Sequence, residues 1–184
     1  MHSDEALYCR YLGGDESAAA TLVERHGDAL VLYLTGYLKD AAEAEDLMIE
    51  AFSRLFARER PITQPGAFKA YLYKTARHLA LRHGQKHRPL LLRLDELDFD
   101  PPGEASAELP LLQAERSSQL TAAMSRLKPD YREALYLVYF ENMRYRDAAA
   151  VMGKSEQQLT KLVHRGKQSL KALLEEEGFV YANE

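Results

Sequence analysis

The chain has 184 residues, of which 46% are hydrophobic and 28% are charged, and its formal net charge is -4. This composition is typical of a folded protein and excludes a uniformly basic coat for nucleic acid or for an acidic membrane surface. Cys9 is the only cysteine, which excludes an internal disulfide and a zinc site with two or more cysteine ligands and fits a reducing compartment. No apolar run is long enough to span a membrane and no secretory leader is visible, so we expect a cytoplasmic protein without membrane insertion.

The first half of the chain predicts four helices, because apolar residues recur at intervals of three and four and hardly any segment alternates with period two. A short helix from Asp4 to Leu12 is followed by a longer helix that Asp15 can cap. Asp40, with an acidic residue three positions later, has the form of a capping box and starts a third helix that should end before Pro61. The fourth helix follows the loop at residues 61–66. We expect these helices to pack as one four-helix unit.

Charge is strongly segregated along the chain. Residues 1–60 include 6 basic and 12 acidic residues, whereas residues 61–93 include 7 basic residues and no acidic one. Residues 94–118 include 1 basic and 7 acidic residues, and residues 119–184 include 10 and 9. Within the last block, the segment from Lys154 to Lys171 has 5 basic residues and 1 acidic residue. Two basic segments separated by an acidic one predict local contacts with nucleic acid in a protein of negative net charge.

The second acidic block has the composition of a linker. It contains Pro101, Pro102 and Gly103 among carboxylates, which disfavours packing and is typical of an extended tether. We therefore interpret the chain as all-α, with two small helical domains joined by an acidic linker. The predicted divisions are residues 1–88 for the first domain, 89–118 for the linker and the start of the next helix, 119–178 for the second domain and 179–184 for a tail.

The end of the chain has the spacing of a helix-turn-helix, in which two helices approach closely across a tight turn. Ala149 is small where the helices cross, and Gly153 can supply the positive φ of the turn. Ser155, with Gln158 three residues later, is a second capping box. The helices predicted in this half run from Leu109 to Leu127, from about Pro129 onward, from Tyr145 to Met152 and from Ser155 to Glu177.

One face of the last helix has the residue types that contact DNA, whereas Leu159, Leu162 and Val163 should face inward. An ordinary helical hairpin with a solvated basic face is the alternative, but the small residue, the turn glycine, the cap and the basic face together favour DNA binding. Lys154 is unusual, because such turns generally hold an apolar residue there. The predicted DNA-binding residues are Gln157, Gln158, Thr160, Lys161, His164, Arg165 and Lys167.

Together these features resemble the bacterial sigma-70 family, specifically the small extracytoplasmic-function group that has only the second and fourth conserved regions. The segment from Glu43 to Phe56, EAEDLMIEAFSRLF, resembles the family's core-binding helix. The segment from Ala67 to Leu81, AFKAYLYKTARHLAL, resembles its promoter -10 helix. The stretch that opens with LKPDYREA at Leu127 and continues through Lys171 resembles the -35 binding region. The resemblance covers nearly the whole chain.

The resemblance implies a transcription initiation factor that binds core RNA polymerase, directs it to promoters with -35 and -10 elements and helps to melt the -10 element. It implies no enzyme activity. The implied partners are the β′ clamp helices and the β flap of core polymerase, promoter DNA and an anti-sigma factor. In this family the linker passes through the positively charged cleft and exit channel of polymerase, which an acidic strip would suit, although a solvated tether explains the same composition.

The resemblance also implies which residues contact polymerase and the -10 element. Asp46 and Glu50 share one face of the third helix and, with Ile49, fall on the surface that docks on core polymerase. Ile49 stands where the family commonly has Gln. Cationic residues of the -10 helix should contact phosphate, whereas each aromatic residue of that helix is better explained by core packing. The implied -10 residues are Lys69, Tyr71, Lys74, Arg77, His78, Arg82, Lys86 and Arg88, of which Tyr71, His78 and Arg82 replace the family's frequent Trp, Asn and Asp.

Histidines and carboxylates could also indicate a metal site or an enzyme. His83 and His87 are four residues apart with His78 nearby, but a solvated basic helix end explains them better. The acidic residues of the third helix are not accompanied by a nucleophile, a phosphate loop or a metal motif, so we expect no catalytic residue, no metal and no cofactor. The competing classes are a stand-alone helix-turn-helix regulator with a helical sensor or dimerisation domain, and a helical metal-dependent enzyme. A regulator would need neither an all-basic helix nor a polymerase-docking face.

Overall fold

The computed structural model describes residues 2–38, 40–86 and 119–176. Within these ranges every regular element is a helix, which confirms the all-α class. The linker predicted at residues 89–118, the tail at residues 179–184 and the helix start at Leu109 lie outside the described residues. The helices are α1 (Asp4–Leu12), α2 (Glu16–Thr35), α3 (Ala41–Phe56), α4 (Ala67–Lys86), α5 (described over residues 119–126), α6 (Pro129–Leu135), α7 (Tyr145–Met152) and α8 (Glu156–Glu176), and a π-helical turn, Tyr136–Phe140, continues α6.

The N-terminal helices begin where the sequence places capping residues. The Asp15 carboxylate accepts a hydrogen bond from the Ser17 N–H at 3.1 Å, and the Asp40 carboxylate accepts one from the Ala42 N–H at 2.8 Å. Each bond satisfies a backbone N–H that has no partner within its own helix, which stabilises the helix by about 1 kcal/mol. The predicted caps of α2 and α3 are therefore both formed.

Helices α1 to α4 pack as the predicted four-helix unit. Leu22 of α2, Leu55 of α3 and Leu72 of α4 are completely buried between them. Tyr8 of α1 is also buried, and its hydroxyl donates to the backbone oxygen of Leu55 at 3.0 Å. This hydrogen bond satisfies the one polar atom that the Tyr8 side chain brings into the core and ties α1 to the end of α3.

The C-terminal half is built on a close crossing of α6 and α8. Gly166 of α8 is buried at this crossing. A Cβ atom placed on Gly166 would lie 3.2 Å from Cγ of Leu135 and 3.3 Å from Cβ of Tyr131, both on α6. These distances are shorter than ordinary van der Waals contact, so the two helices approach closely because this position has no side chain.

The two halves pack against each other and share one buried core. The Tyr136 hydroxyl donates to the backbone oxygen of Ala29 at 3.0 Å, and the Tyr33 hydroxyl donates to the Glu133 carboxylate at 2.7 Å. The sequence predicts two domains but no contact between them. Tyr33 and Glu133 are 100 residues apart, and such a pairing leaves no periodic signal in either segment.

Two buried glycines test the crossing of α6 and α8. We expect Gly166→Ala to lower the free energy of unfolding by about 1 to 3 kcal/mol, because the added methyl group overpacks the crossing. Gly27 of α2 is the control, since a Cβ atom there would lie 3.9 Å from Val23, which is ordinary contact. Gly27→Ala should raise the free energy of unfolding by about 0.5 to 1 kcal/mol through helix propensity. Chemical denaturation measures both changes, and equal stabilisation by the two variants would contradict the close crossing.

Candidate nucleic-acid interface and docking groove

The turn between α7 and α8 has the backbone of a helix-turn-helix. Gly153 adopts a left-handed conformation with φ of 65°, and the Lys154 N–H donates to the Ala149 carbonyl at 2.9 Å. Residues with a side chain rarely adopt this φ, which accounts for the glycine. The Gln158 N–H then donates to Ser155 Oγ at 3.2 Å, and the Ser155 N–H donates to Gln158 Oε1 at 2.8 Å. This reciprocal pair is the predicted capping box, and it fixes the start of α8.

The charged residue in this turn has a partner on another helix. Lys154 Nζ lies 3.0 Å from the Asp130 carboxylate of α6. An ion pair therefore occupies the position at which such turns generally hold an apolar residue.

The outward face of α8 is the face that the sequence predicts. Leu159 and Val163 are buried, and Leu162 is half-buried. Residues three and four apart form a continuous stripe along the opposite side of the helix. All seven residues predicted to bind DNA are exposed there: Gln157, Gln158, Thr160, Lys161, His164, Arg165 and Lys167.

Two residues of this face are engaged within the protein. The amide oxygen of Gln158 belongs to the cap of α8. Lys167 Nζ lies 4.6 Å from the centre of the Tyr139 ring, and its hydrogen bond lowers the pKa of the Tyr139 phenol. Tyr139 is 45% exposed and lies in the π-helical turn, next to the predicted DNA face. The exposure of Tyr139 was not predicted from the sequence, because a π-helical turn does not follow the α-helical period.

The aromatic residues of α4 divide between core and surface. Phe68 and Tyr73 are completely buried, which confirms the sequence-based preference for core packing at these two positions. Tyr71 is half-buried, and the Arg58 guanidinium lies over its ring at 4.8 Å from the ring centre. Tyr71 is therefore the accessible aromatic residue among the three, with a cation beside it.

Some of the predicted -10 residues form a stripe on the outer side of α4. Lys74, His78 and Arg82 follow one another at intervals of four residues, and all three are exposed. This spacing places them on one face, so a single strand of nucleic acid could contact all of them. The side chain of Lys86, and Arg88 as a whole, lie outside the described residues.

Two other predicted -10 residues face the C-terminal half instead. Lys69 Nζ lies 2.6 Å from the Glu141 carboxylate, and Arg77 Nε lies 2.9 Å from the Glu133 carboxylate. Burial opposes the charge on Arg77, but the Glu133 carboxylate outweighs it and raises the pKa of the guanidinium. All cations of α4 were predicted to contact DNA alike, and neither carboxylate was predicted as a partner because both lie in the other half of the chain.

The residues predicted to dock on polymerase lie on the surface of α3. Asp46 is exposed, and Ile49 exposes 57% of its surface. The Glu50 carboxylate is half-exposed and pairs with Arg54 one turn later at 2.6 Å. An ion pair between exposed side chains contributes little to stability, so Glu50 can exchange partners at small cost.

Ile49 borders a shallow groove of about 360 Å³ between α2 and α3. Apolar side chains of both helices line it, and Asp28 and Glu45 supply negative charge. The α3 side of this surface was predicted from the sequence and the α2 side was not, because Val31 and Leu32 lie outside the buried face of α2 that Leu30 and Leu34 form. The lining residues are Asp28, Val31, Leu32, Thr35, Glu45, Met48 and Ile49.

The histidines of α4 do not form a metal-binding cluster in the part of the chain that the structure describes, where no three His, Cys, Asp or Glu side chains converge. His83 Nδ1 lies 3.8 Å from the Glu43 carboxylate, and His78 is exposed. His87, the predicted neighbour of His83, lies outside the described residues.

Comparison with known proteins decides the family. The family model of sigma-70 region 2 matches residues 22–90, and that of sigma-70 region 4 matches residues 117–170. The ECF RNA polymerase sigma factor SigM of Bacillus subtilis is 31% identical over 141 residues, which cover 77% of this chain and 85% of SigM. The chain belongs to the extracytoplasmic-function sigma factors of the sigma-70 family. It is a promoter-directing transcription initiation factor, and a sensor domain in the first half is not favoured.

The sigma factor is also similar to longer relatives. SigE of Mycolicibacterium smegmatis is 27% identical over 166 residues, and BldN of Streptomyces coelicolor is 29% identical over 167 residues. The matches cover 88% and 90% of this chain but 64% and 63% of those relatives. The sigma factor therefore spans less than two thirds of their length.

Two solved structures share the fold. CnrH in complex with the cytosolic domain of CnrY has a TM-score of 0.64 at 21% identity, over 95% of this chain and 98% of the compared chain. RpoE in complex with the anti-sigma factor NepR, from Bartonella quintana, has a TM-score of 0.62 at 21% identity, over 85% of this chain and 96% of the compared chain. In the described ranges of the sigma factor, none of the helices has the length and hydropathy needed to cross a membrane.

Gln158 both caps α8 and lies on the predicted DNA-binding face, and its contribution to the cap can be tested. Gln158→Ala should lower the free energy of unfolding by about 0.5 to 1 kcal/mol, because it removes the acceptor for the Ser155 N–H from the cap of α8. Gln157→Ala is the matched control, since Gln157 is exposed on the same turn and should change stability by less than about 0.5 kcal/mol. Chemical denaturation of the full chain compares the two. Equal effects would show that the capping bond contributes no stability.

Proposed function

We propose that this sigma factor uses three separate surfaces to bring RNA polymerase to a promoter and to open it. The outer face of α8 reads the -35 element, the outer stripe of α4 holds the -10 strand, and the groove between α2 and α3 docks on core polymerase. The observation that carries this assignment is the position of the two exposed cationic faces: one lies within the matched region 2 and the other within the matched region 4.

The start of α8 is suited to reading base pairs. A recognition helix places its N-terminal residues at base edges in the major groove, whereas residues further along meet the phosphate backbone. Gln157 and Lys161 lie in the first two turns with their polar ends exposed, so we assign the discrimination of bases to them. Gln158 supports the helix end and has only its amide N–H groups to offer. We assign Thr160, His164, Arg165 and Lys167 to the remaining base and phosphate contacts.

The outer stripe of α4 is suited to an unpaired strand. Proteins hold single strands with a row of cations that follows the phosphates and with aromatic faces on which bases stack. Lys74, His78 and Arg82 supply the row, and Tyr71 supplies an accessible ring near its start. Opening of the -10 element would be favoured because these groups bind the strand only after its bases have separated from their partners.

The groove between α2 and α3 is suited to a helical partner with basic residues. A few apolar side chains in a concave site can contribute much of the binding energy of an interface, and Ile49 with the apolar residues that line the groove could do so here. Asp28 and Glu45 line the groove with negative charge, and Asp46 is exposed beside Glu45 on α3. We assign the β′ clamp helices of core polymerase to this groove and the β flap to the C-terminal half.

The relatives suggest a further partner and a location. CnrH and RpoE were each solved with a second protein, which is an anti-sigma factor in the RpoE structure. We propose that an anti-sigma factor also binds this chain, and that the sigma factor acts in the cytoplasm, where polymerase and promoters are found. We retain residues 1–88 and 119–178 as the two functional domains.

Reconstituted transcription tests the function as a whole. Core RNA polymerase with this chain should produce transcripts with defined 5′ ends from a set of genomic promoter fragments, and core polymerase alone should produce none of them. The same transcripts without the chain, or none with it, would contradict the proposal.

A substitution pair tests the docking groove. Asp46→Ala with Ile49→Ala should weaken the affinity for core polymerase about tenfold or more, because the pair loses an apolar anchor and an exposed carboxylate. Binding of the same variant to -35 duplex DNA should not change, since α8 lies elsewhere. Glu16→Ala removes an exposed carboxylate of α2 that does not line the groove and should leave core affinity intact. Unchanged core affinity in the double variant, measured by fluorescence anisotropy, would remove the groove from the docking surface.

A further inference from the structure

Arg58 follows the end of α3 and lies outside the three proposed surfaces. Its guanidinium is placed over the Tyr71 ring of α4, 4.8 Å from the ring centre, and both side chains are half-buried. In the described part of the chain no carboxylate forms an ion pair with Arg58, whereas Arg54, one turn earlier, pairs with Glu50 at 2.6 Å. Arg58 therefore has an aromatic face beside it but no counter-charge.

The backbone of Arg58 is held on both sides by hydrogen bonds. Its N–H donates to the Leu55 backbone oxygen at 3.2 Å, and its own backbone oxygen accepts from the Tyr8 hydroxyl at 2.6 Å. The same hydroxyl donates to the Leu55 oxygen at 3.0 Å. Tyr8 is completely buried in α1, so water cannot replace these bonds. Tyr8 thus fixes the main chain from which the Arg58 side chain extends.

The Arg58 side chain extends the proposed -10 surface from α4 to the end of α3. Tyr71 precedes Lys74 by three residues and His78 follows four residues later, so the ring lies on the same side of α4 as the exposed cations. Arg58 is the outer layer at this ring, and Tyr71 is the layer beneath it. A guanidinium is planar, and it stacks on aromatic rings and on nucleic-acid bases. An unpaired base that reaches this ring would therefore meet Arg58.

We propose that Arg58 and Tyr71 form a stacked platform for one unpaired base of the -10 strand, and that Tyr8 is the positioning residue that holds Arg58 over the ring. The proposal rests on the assignment of α4 to the -10 strand. Exposed cations such as Lys74 and Arg82 bind phosphates, which single and double strands both offer. A base offers its face only after it has left the stack. The platform therefore distinguishes an open strand from a duplex, which a row of cations does not do.

Two single-stranded probes separate base contacts from phosphate contacts. One is a short fluorescent oligodeoxythymidine, and the other is a strand of equal length that keeps the sugar–phosphate backbone but has no bases. The wild-type full chain should bind the first about fivefold or more tightly, as expected of one stacked base. Arg58→Lys keeps the charge and loses the guanidinium plane, so this preference should fall to about twofold or less. Its slope of log affinity against log salt should equal that of the wild type, because no charge is lost.

Tyr8→Phe tests the positioning of Arg58. It removes the hydroxyl and keeps the ring, so the preference for the strand with bases should fall about threefold or more while the salt slope stays unchanged. Tyr11→Phe is the matched control, because the Tyr11 hydroxyl of the same helix donates to the Phe56 backbone oxygen at 3.4 Å and not to Arg58. Chemical denaturation defines conditions in which both variants are fully folded. If Tyr8 were merely structural, Tyr8→Phe would lower the stability and keep the preference of Tyr11→Phe.

Lys74→Ala with Arg82→Ala measures the assignment of α4 to the -10 strand separately. This pair should weaken the binding of both probes alike and lower the salt slope by about 1.4, since each phosphate contact contributes about 0.7 on a single strand. If it does so but Arg58→Lys keeps the wild-type preference for bases, the platform is overturned and the assignment of α4 stands. If the pair changes nothing, or if the wild type binds neither probe in low salt, the assignment of α4 fails and the platform fails with it.

The remaining outcomes also decide between contacts. Equal affinity of the wild-type chain for the two probes would overturn the platform, because no base would then contribute to binding. A lower salt slope in Arg58→Lys would overturn it as well, since Arg58 would be a phosphate contact. Loss of the preference in Arg58→Lys but not in Tyr8→Phe would overturn the role of Tyr8 and leave the platform in place.

Discussion

The buried carboxylate of Glu133 is the point on which the arrangement of the two halves depends. It accepts from the Tyr33 hydroxyl and from the Arg77 guanidinium, so one charge on α6 binds both α2 and α4. A carboxylate removed from water must be paired with a cation and hydrogen-bonded, or it destabilises the fold. One buried charge that requires partners therefore links the positions of α2, α4 and α6. The two halves also share an apolar core.

Because α4 pairs with Glu133, its side chains meet three different surroundings. Phe68 and Leu72 face the core of the four-helix unit, Arg77 faces the C-terminal half, and Lys74 and Arg82 face solvent. A helix of 20 residues has room for all three because its side chains point in every direction around the axis. With the two halves packed together, the outer face of α8 and the groove between α2 and α3 are both exposed. Packing of the two halves thus engages Lys69 and Arg77 of α4, whereas the residues proposed to contact the -35 element and polymerase remain accessible.

Local structure could be predicted from the sequence because the signals for it are local. The bounds of α1, the caps at Asp15 and Asp40, the turn at Gly153 and the exposed face of α8 each follow from residues within a few positions of one another. The function came from the resemblance to a family, and the matches to both sigma regions and to SigM confirm it.

The contacts between distant segments could not be predicted. Nothing near Arg77 indicates that its partner is Glu133, 56 residues later, and nothing near Lys154 indicates Asp130. The family resemblance and the charge together assigned every cation of α4 to DNA, because a sequence pattern does not distinguish a solvated cation from one that meets a buried carboxylate. Tyr139 was missed for a different reason, since it lies in a turn whose period is not that of an α-helix.

A double-mutant cycle between Arg77 and Glu133 tests most directly whether this charge joins the two halves. The free energy of unfolding of the full chain is measured for the wild type, Arg77→Met, Glu133→Gln and the double variant. The account predicts a coupling energy of about 1 to 3 kcal/mol, because each single change leaves the partner without its buried counter-ion. A coupling energy below about 0.3 kcal/mol would contradict it, since the two side chains would then act as independent surface groups.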